Sequence, residues 1–146
     1  MLILQASMQF MATLACGIFA GAAIYINAVE HPARMSCGTL IAATEWAPSY
    51  KRATWMQAPL AVSGFSFALI AWLAGAGPGW LIGSVLLGLV VPFTFLAIMP
   101  VNKRLLSPDL DKGSEEARQL LKRWNRLHAV RSVLSAWALV IFLLNF

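Results

Sequence analysis

The chain has 146 residues, 60% of them hydrophobic and 12% charged, with a formal net charge of +5. That composition lies outside the soluble globular range and makes residues 1–146 a single membrane domain, all-α, built as a bundle of four transmembrane helices. The Lys and Arg residues are confined to segments 30–52 and 103–131, so the positive charge reads as a topology signal and not as a nucleic-acid surface.

The first span covers about 4–28. No Lys or Arg precedes Arg34, so this segment lacks the positive start of a secretory signal and is expected to stay as a helix. Ala12/Cys16 and Gly17/Gly21 are small residues four apart, a spacing that lets a neighbouring helix approach closely. The same pairs leave a homo-oligomer open. Cys16 and Cys37 form no CxxC pair and no disulfide framework.

At the end of this span Asn27, Glu30, His31 and Arg34 follow one another at i, i+3, i+4 and i+7, a spacing that puts them on one helical face. Pro32 is expected to bend or end the helix among them. Trp46, Tyr50, Lys51 and Arg52 then precede the second span.

From Ala53 to Asn102 the chain carries no Asp, Glu, Lys, Arg or His. Only the turn-like Gly75-Ala76-Gly77-Pro78-Gly79 interrupts it, which predicts a hairpin of spans 53–74 and 79–99, with Pro59, Pro92 and Pro100 as kinks or end markers. Asn102, Lys103 and Arg104 return the chain to water. Ser107-Pro108-Asp109 is a turn signature. Ser114 is a candidate N-cap, with Glu115 and Glu116 at the positive end of the helix dipole.

No proline or glycine occurs from Ser114 to Phe146, so one helix of roughly 45 Å can run from the loop through the last span, 127–146. Along it Leu120, Trp124, Leu127, His128 and Arg131 form a stripe. His128 and Arg131 fall at or just inside the hydrocarbon boundary, where ionisable groups are costly and usually functional.

An even number of spans puts both basic segments on one side. The positive-inside rule makes that side cytoplasmic and both termini external, with some affinity for lipid head groups. On this side His31, His128, Arg34 and Arg131 are candidate catalytic residues. Asn27, Glu30, Trp46, Tyr50, Asn102 and Trp124 are candidate substrate contacts. An imidazole near its operating pKa can take a proton from a substrate arriving from the lipid, and a guanidinium can hold the resulting anion. His31 and His128, with Glu30, also fit a metal ion, although two histidines support it weakly. No P-loop, GxGxxG or CxxC points to other chemistry.

Glu30-His31-Pro32 and Trp124-Asn125-Arg126-Leu127-His128-Ala129-Val130-Arg131, with the segments 17–23, 46–52 and 100–105, resemble the anthrone oxygenase-like family of small membrane proteins. The resemblance spans nearly the whole chain. It implies a four-helix membrane oxidoreductase that oxidises a hydrophobic aromatic molecule with molecular oxygen, with no conventional cofactor. A fold does not fix a function, so a non-enzymatic membrane protein, a small-molecule binder or complex subunit, is the alternative.

Overall fold

The computed structural model describes residues 2–146 and consists of four long helices: α1 (Leu2–Ser36), α2 (Thr39–Leu73), α3 (Pro78–Leu105) and α4 (Glu115–Leu144). Each is long and apolar enough to cross a membrane. Large apolar side chains point outward on all four, among them Phe10 and Ile18, Trp55 and Leu73, Leu89 and Phe95, Trp137 and Leu143. An outer surface of this kind has no favourable contact with water and suits lipid.

The helices run up and down, each packed on its neighbour in sequence, with α4 closing back on α1. The Trp80 indole at the start of α3 donates to the Asn145 carbonyl at the end of α4 (3.1 Å), which fixes these two as antiparallel. Close approach depends on glycines. A Cβ on Gly64 would lie 3.5 Å from Ala15 Cβ of α1, and one on Gly83 would fall 2.3 Å from the Phe142 ring, which is itself stacked on Trp80. Ala12 and Cys16 pack as their spacing predicts, both fully buried. Gly21 does not, because a Cβ there would meet nothing within 4 Å.

Three helices extend past the sequence-derived spans at one end of the bundle. Helix α1 continues through Pro32 to Ser36, α2 begins at Thr39 and runs unbroken through Pro48 and Pro59, and α3 passes Pro92 and Pro100 to Leu105. Pro32 and Pro100 are each preceded by a π-helical turn, Ile26–Glu30 and Thr94–Ile98. In the first the His31 N–H bonds the Ile26 carbonyl, and in the second the Met99 N–H bonds that of Thr94. A proline ring clashes with the carbonyl four residues back in a regular helix. The wider turn ahead of it gives that carbonyl room, so the helix bends and goes on.

Ser114 caps α4, its hydroxyl accepting from the Ala117 N–H (3.1 Å). The loop before it is tied down by Arg104, which pairs with Glu116 (2.6 Å) and Asp109 (2.9 Å). The Ser107 hydroxyl and the Arg104 guanidinium together hold the Asp109 carboxyl below the usual carboxylate range.

Candidate functional site

Polar side chains gather at the end of the bundle where the π turns lie. The π turn at Ile26–Glu30 decides how those of α1 are shared out. One extra residue in a turn rotates everything after it by about 100°, so the expected common face of Asn27, Glu30, His31 and Arg34 is divided. Asn27 and His31 meet α4, whereas Glu30 and Arg34 meet α2.

Toward α4, every polar atom of the Asn27 amide is engaged. Its Nδ2 donates to the Asn125 carbonyl (2.9 Å) and to Asn125 Oδ1 (2.7 Å), while its Oδ1 accepts from Ser132 Oγ (2.6 Å) and pairs with His128 Nδ1 (2.8 Å). The backbone carbonyl of Asn125 can only accept, so the amide cannot be flipped and its oxygen must face His128. His128 Nδ1 therefore carries the hydrogen. In the neutral ring Nε2 keeps the lone pair.

Toward α2, the Arg34 guanidinium is 7% exposed and pairs with Glu30 and with Glu45. Glu45 approaches Nε at 2.7 Å as an ion pair, outside hydrogen-bond alignment. Arg34 also donates to Ser49 Oγ (3.1 Å), which in turn donates to Glu30 (2.5 Å). This arginine is amply neutralised.

Arg131 is not. Its Nη2 donates to Gln57 Oε1 (2.9 Å) and its Cζ stands 5.4 Å from the centre of the Phe19 ring, but no carboxylate pairs with it among the described residues, and its sealed Nε has no partner. A partly buried cation without an anion is a costly arrangement unless an anion is supplied.

The aromatic candidates form one wall. Trp46 stacks on Tyr50 (5.0 Å) and meets Trp124 edge-on (5.8 Å). Both histidines lie against Trp124, His128 at 4.8 Å and His31 at 5.6 Å between ring centres. Asn102 is 1% exposed, and neither atom of its amide has a partner. The buried His31 Nδ1, Gln57 Nε2 and the indole nitrogens of Trp46 and Trp124 are likewise unpaired. Native interiors leave few such groups unsatisfied, so their concentration at one end marks room for water or a polar ligand.

Two neighbouring spaces with shared lining residues lie here. A groove of about 830 Å³ opens between α1 and α2, with Gly21 and Tyr25 on one side and Arg52, Met56 and Gln57 on the other. A small inner cavity of about 20 Å³, enough for one water-sized molecule, is lined by Arg34, Tyr50, Trp124, His128 and Arg131. Ile26, Glu30, Ser49 and Ala53 line both. His31 instead lines a separate outer groove between α1 and α4. Among the described residues no three His, Cys, Asp or Glu side chains are grouped to hold a metal ion.

Sequence reasoning passed over Gln57, Glu45, Ser49 and Ser132. Gln57 carried a signal, being a lone amide early in the uncharged stretch from Ala53 to Asn102. Ser132 sits one turn beyond His128, but serine is unremarked in a membrane helix. On α4 the buried face follows Leu121, Trp124, His128, Ser132 and Ser135, with Leu120, Leu127 and Arg131 at its margin.

The sequence profile of anthrone oxygenase matches residues 46–141. The chain is similar to anthrone oxygenase ptaC of Pestalotiopsis fici, 30% identical over 117 residues that cover 69% of this chain and 82% of that one. It is also similar to anthrone oxygenase tpcL of Aspergillus fumigatus, 34% identical over 73 residues, 48% of this chain and 45% of that one. No solved structure matches.

Proposed function

The chain belongs to the anthrone oxygenase family, and on that premise we propose that it oxidises a flat, hydrophobic aromatic ketone of the anthrone type with molecular oxygen. The observation that carries this reading is the pairing of a histidine whose tautomer is fixed, His128, with a cation that lacks a carboxylate, Arg131, around one inner cavity. The adjoining groove of about 830 Å³ is within the range of small-molecule sites.

An anthrone carries a CH₂ group between two rings, opposite its carbonyl. With the ring system in the groove, His128 takes one proton from that carbon through a water held in the inner cavity, and Arg131 beside the same cavity stabilises the charge that spreads to the carbonyl. The electron-rich carbon then reduces dioxygen and bonds to it as a hydroperoxide, which loses water to leave the second carbonyl. Anthrone plus O₂ gives anthraquinone plus H₂O. The substrate anion itself supplies the electrons. Asn27 positions His128, and Tyr25, Ile26 and Met56 bound the ring system in the groove. Tyr50 and Trp124 line the inner cavity with Trp46 packed behind them, and Glu30 and Ser49, held by Arg34, stand between groove and cavity.

Purified protein supplied with an anthrone is expected to consume oxygen and form the anthraquinone well above the spontaneous rate. Gly21→Leu tests the groove, since Gly21 lines it and a Cβ there meets nothing within 4 Å. It should raise KM for the anthrone at least tenfold with no loss of thermal stability. Unchanged kinetics would remove the groove from the reaction, and no oxygen uptake by the wild type with several anthrones would favour a binding protein without catalysis.

The polar end is placed in the cytoplasm and both termini outside by the same proposal, on the one-sided distribution of Lys and Arg. A reporter active only in the cytoplasm and fused after Phe146 should be silent. Activity there would reverse the orientation.

A further inference from the structure

We propose that the outer groove between α1 and α4 binds the phosphate head group of an anionic phospholipid. The groove measures about 560 Å³ and presents Arg118, Lys122 and Arg126 from α4 opposite Pro32 and Met35 of α1. The three cations are four residues apart and therefore stacked along one face. Like charges at that spacing destabilise a helix. No carboxylate pairs with any of them among the described residues; of the two acids that precede them on α4, Glu116 is held by Arg104 and Glu115 is hydrogen-bonded by Gln119 (2.5 Å).

A second observation points to a ligand. His31 lines the same groove, is 3% exposed, and has no partner for its Nδ1. A turn of the ring brings that sealed nitrogen to the groove, where it can donate to a phosphate oxygen that the cations have drawn in.

What lies below the cations selects a lipid over free phosphate. Steps of four and three from Arg126 reach Val130, Val133 and Trp137, all exposed and all on the face that carries the cations. From Arg126 to Trp137 the helix rises about 16 Å, close to half of the roughly 30 Å hydrocarbon core. One face of α4 thus offers charge for a head group and then an apolar track the depth of one leaflet. This site shares no lining with the substrate groove and does not depend on the catalytic reading.

The test uses the full chain purified in neutral detergent, with lipid retention read by native mass spectrometry and thermal stability measured in parallel. Phosphatidylglycerol should bind and raise the unfolding temperature, whereas phosphatidylcholine and inorganic phosphate should bind far more weakly. Each surface cation is worth about fivefold in affinity for an anionic lipid. Arg118→Gln, Lys122→Gln and Arg126→Gln together should therefore lower phosphatidylglycerol affinity on the order of 100-fold. Lys122→Gln alone should lower it about fivefold, and Lys51→Gln with Lys103→Gln, cations at the same end but outside the groove, should leave it unchanged. Equal retention of the two lipids, an undiminished preference in Lys122→Gln and the triple variant, or equal stabilisation by inorganic phosphate would overturn the proposal.

Discussion

His128→Gln is expected to lower turnover of an anthrone by about 10²- to 10⁴-fold, the usual contribution of a positioned general base, while the protein remains monodisperse in detergent. The fold should survive because the Asn27 amide keeps its other partners, Asn125 and Ser132. Asn27→Leu should act on the same quantity from further away. It leaves His128 in place but removes the acceptor that fixes the hydrogen on Nδ1, so activity should fall less than in His128→Gln and the pH dependence of turnover should move. Oxygen uptake at the wild-type rate in a folded His128→Gln variant rules out the base. If both variants lose monodisperse protein, the cluster is structural.

Arg131→Met should separate activity from stability, with opposite signs. Removing one donor to a developing oxyanion commonly costs about 10²- to 10³-fold in kcat. Removing an uncompensated cation from a partly buried site relieves its desolvation, and the apolar replacement keeps similar bulk beside Phe19. The unfolding temperature of the substrate-free protein should therefore stay the same or rise, offset in part by the lost hydrogen bond to Gln57. A structural arginine would behave differently: stability and turnover would fall together, and that result would leave no role for Arg131 in holding the anion. Arg34→Met provides the contrast, since it would strand Glu30 and Glu45 and should destabilise the protein.

The sequence by itself determined the number of helices, their apolar outer surface, the cap at Ser114 and the end of the bundle at which the ionisable groups collect. These are one-dimensional properties: hydropathy over twenty residues, a serine ahead of two glutamates, and the absence of charge between Ala53 and Asn102 are each complete within a single segment. Which side chains share a space was decided only in three dimensions. Ideal spacing placed Asn27, Glu30, His31 and Arg34 together, but the π turn ahead of Pro32 adds a residue and sends them to two different helices. Because each residue turns a helix by about 100°, one such insertion is enough to seat His31 in the outer groove while His128 lines the inner cavity. The lone pair on His128 Nε2 likewise depends on the Asn125 carbonyl orienting an amide 98 residues away, and the missing counterion of Arg131 can be seen only once the other three helices surround it.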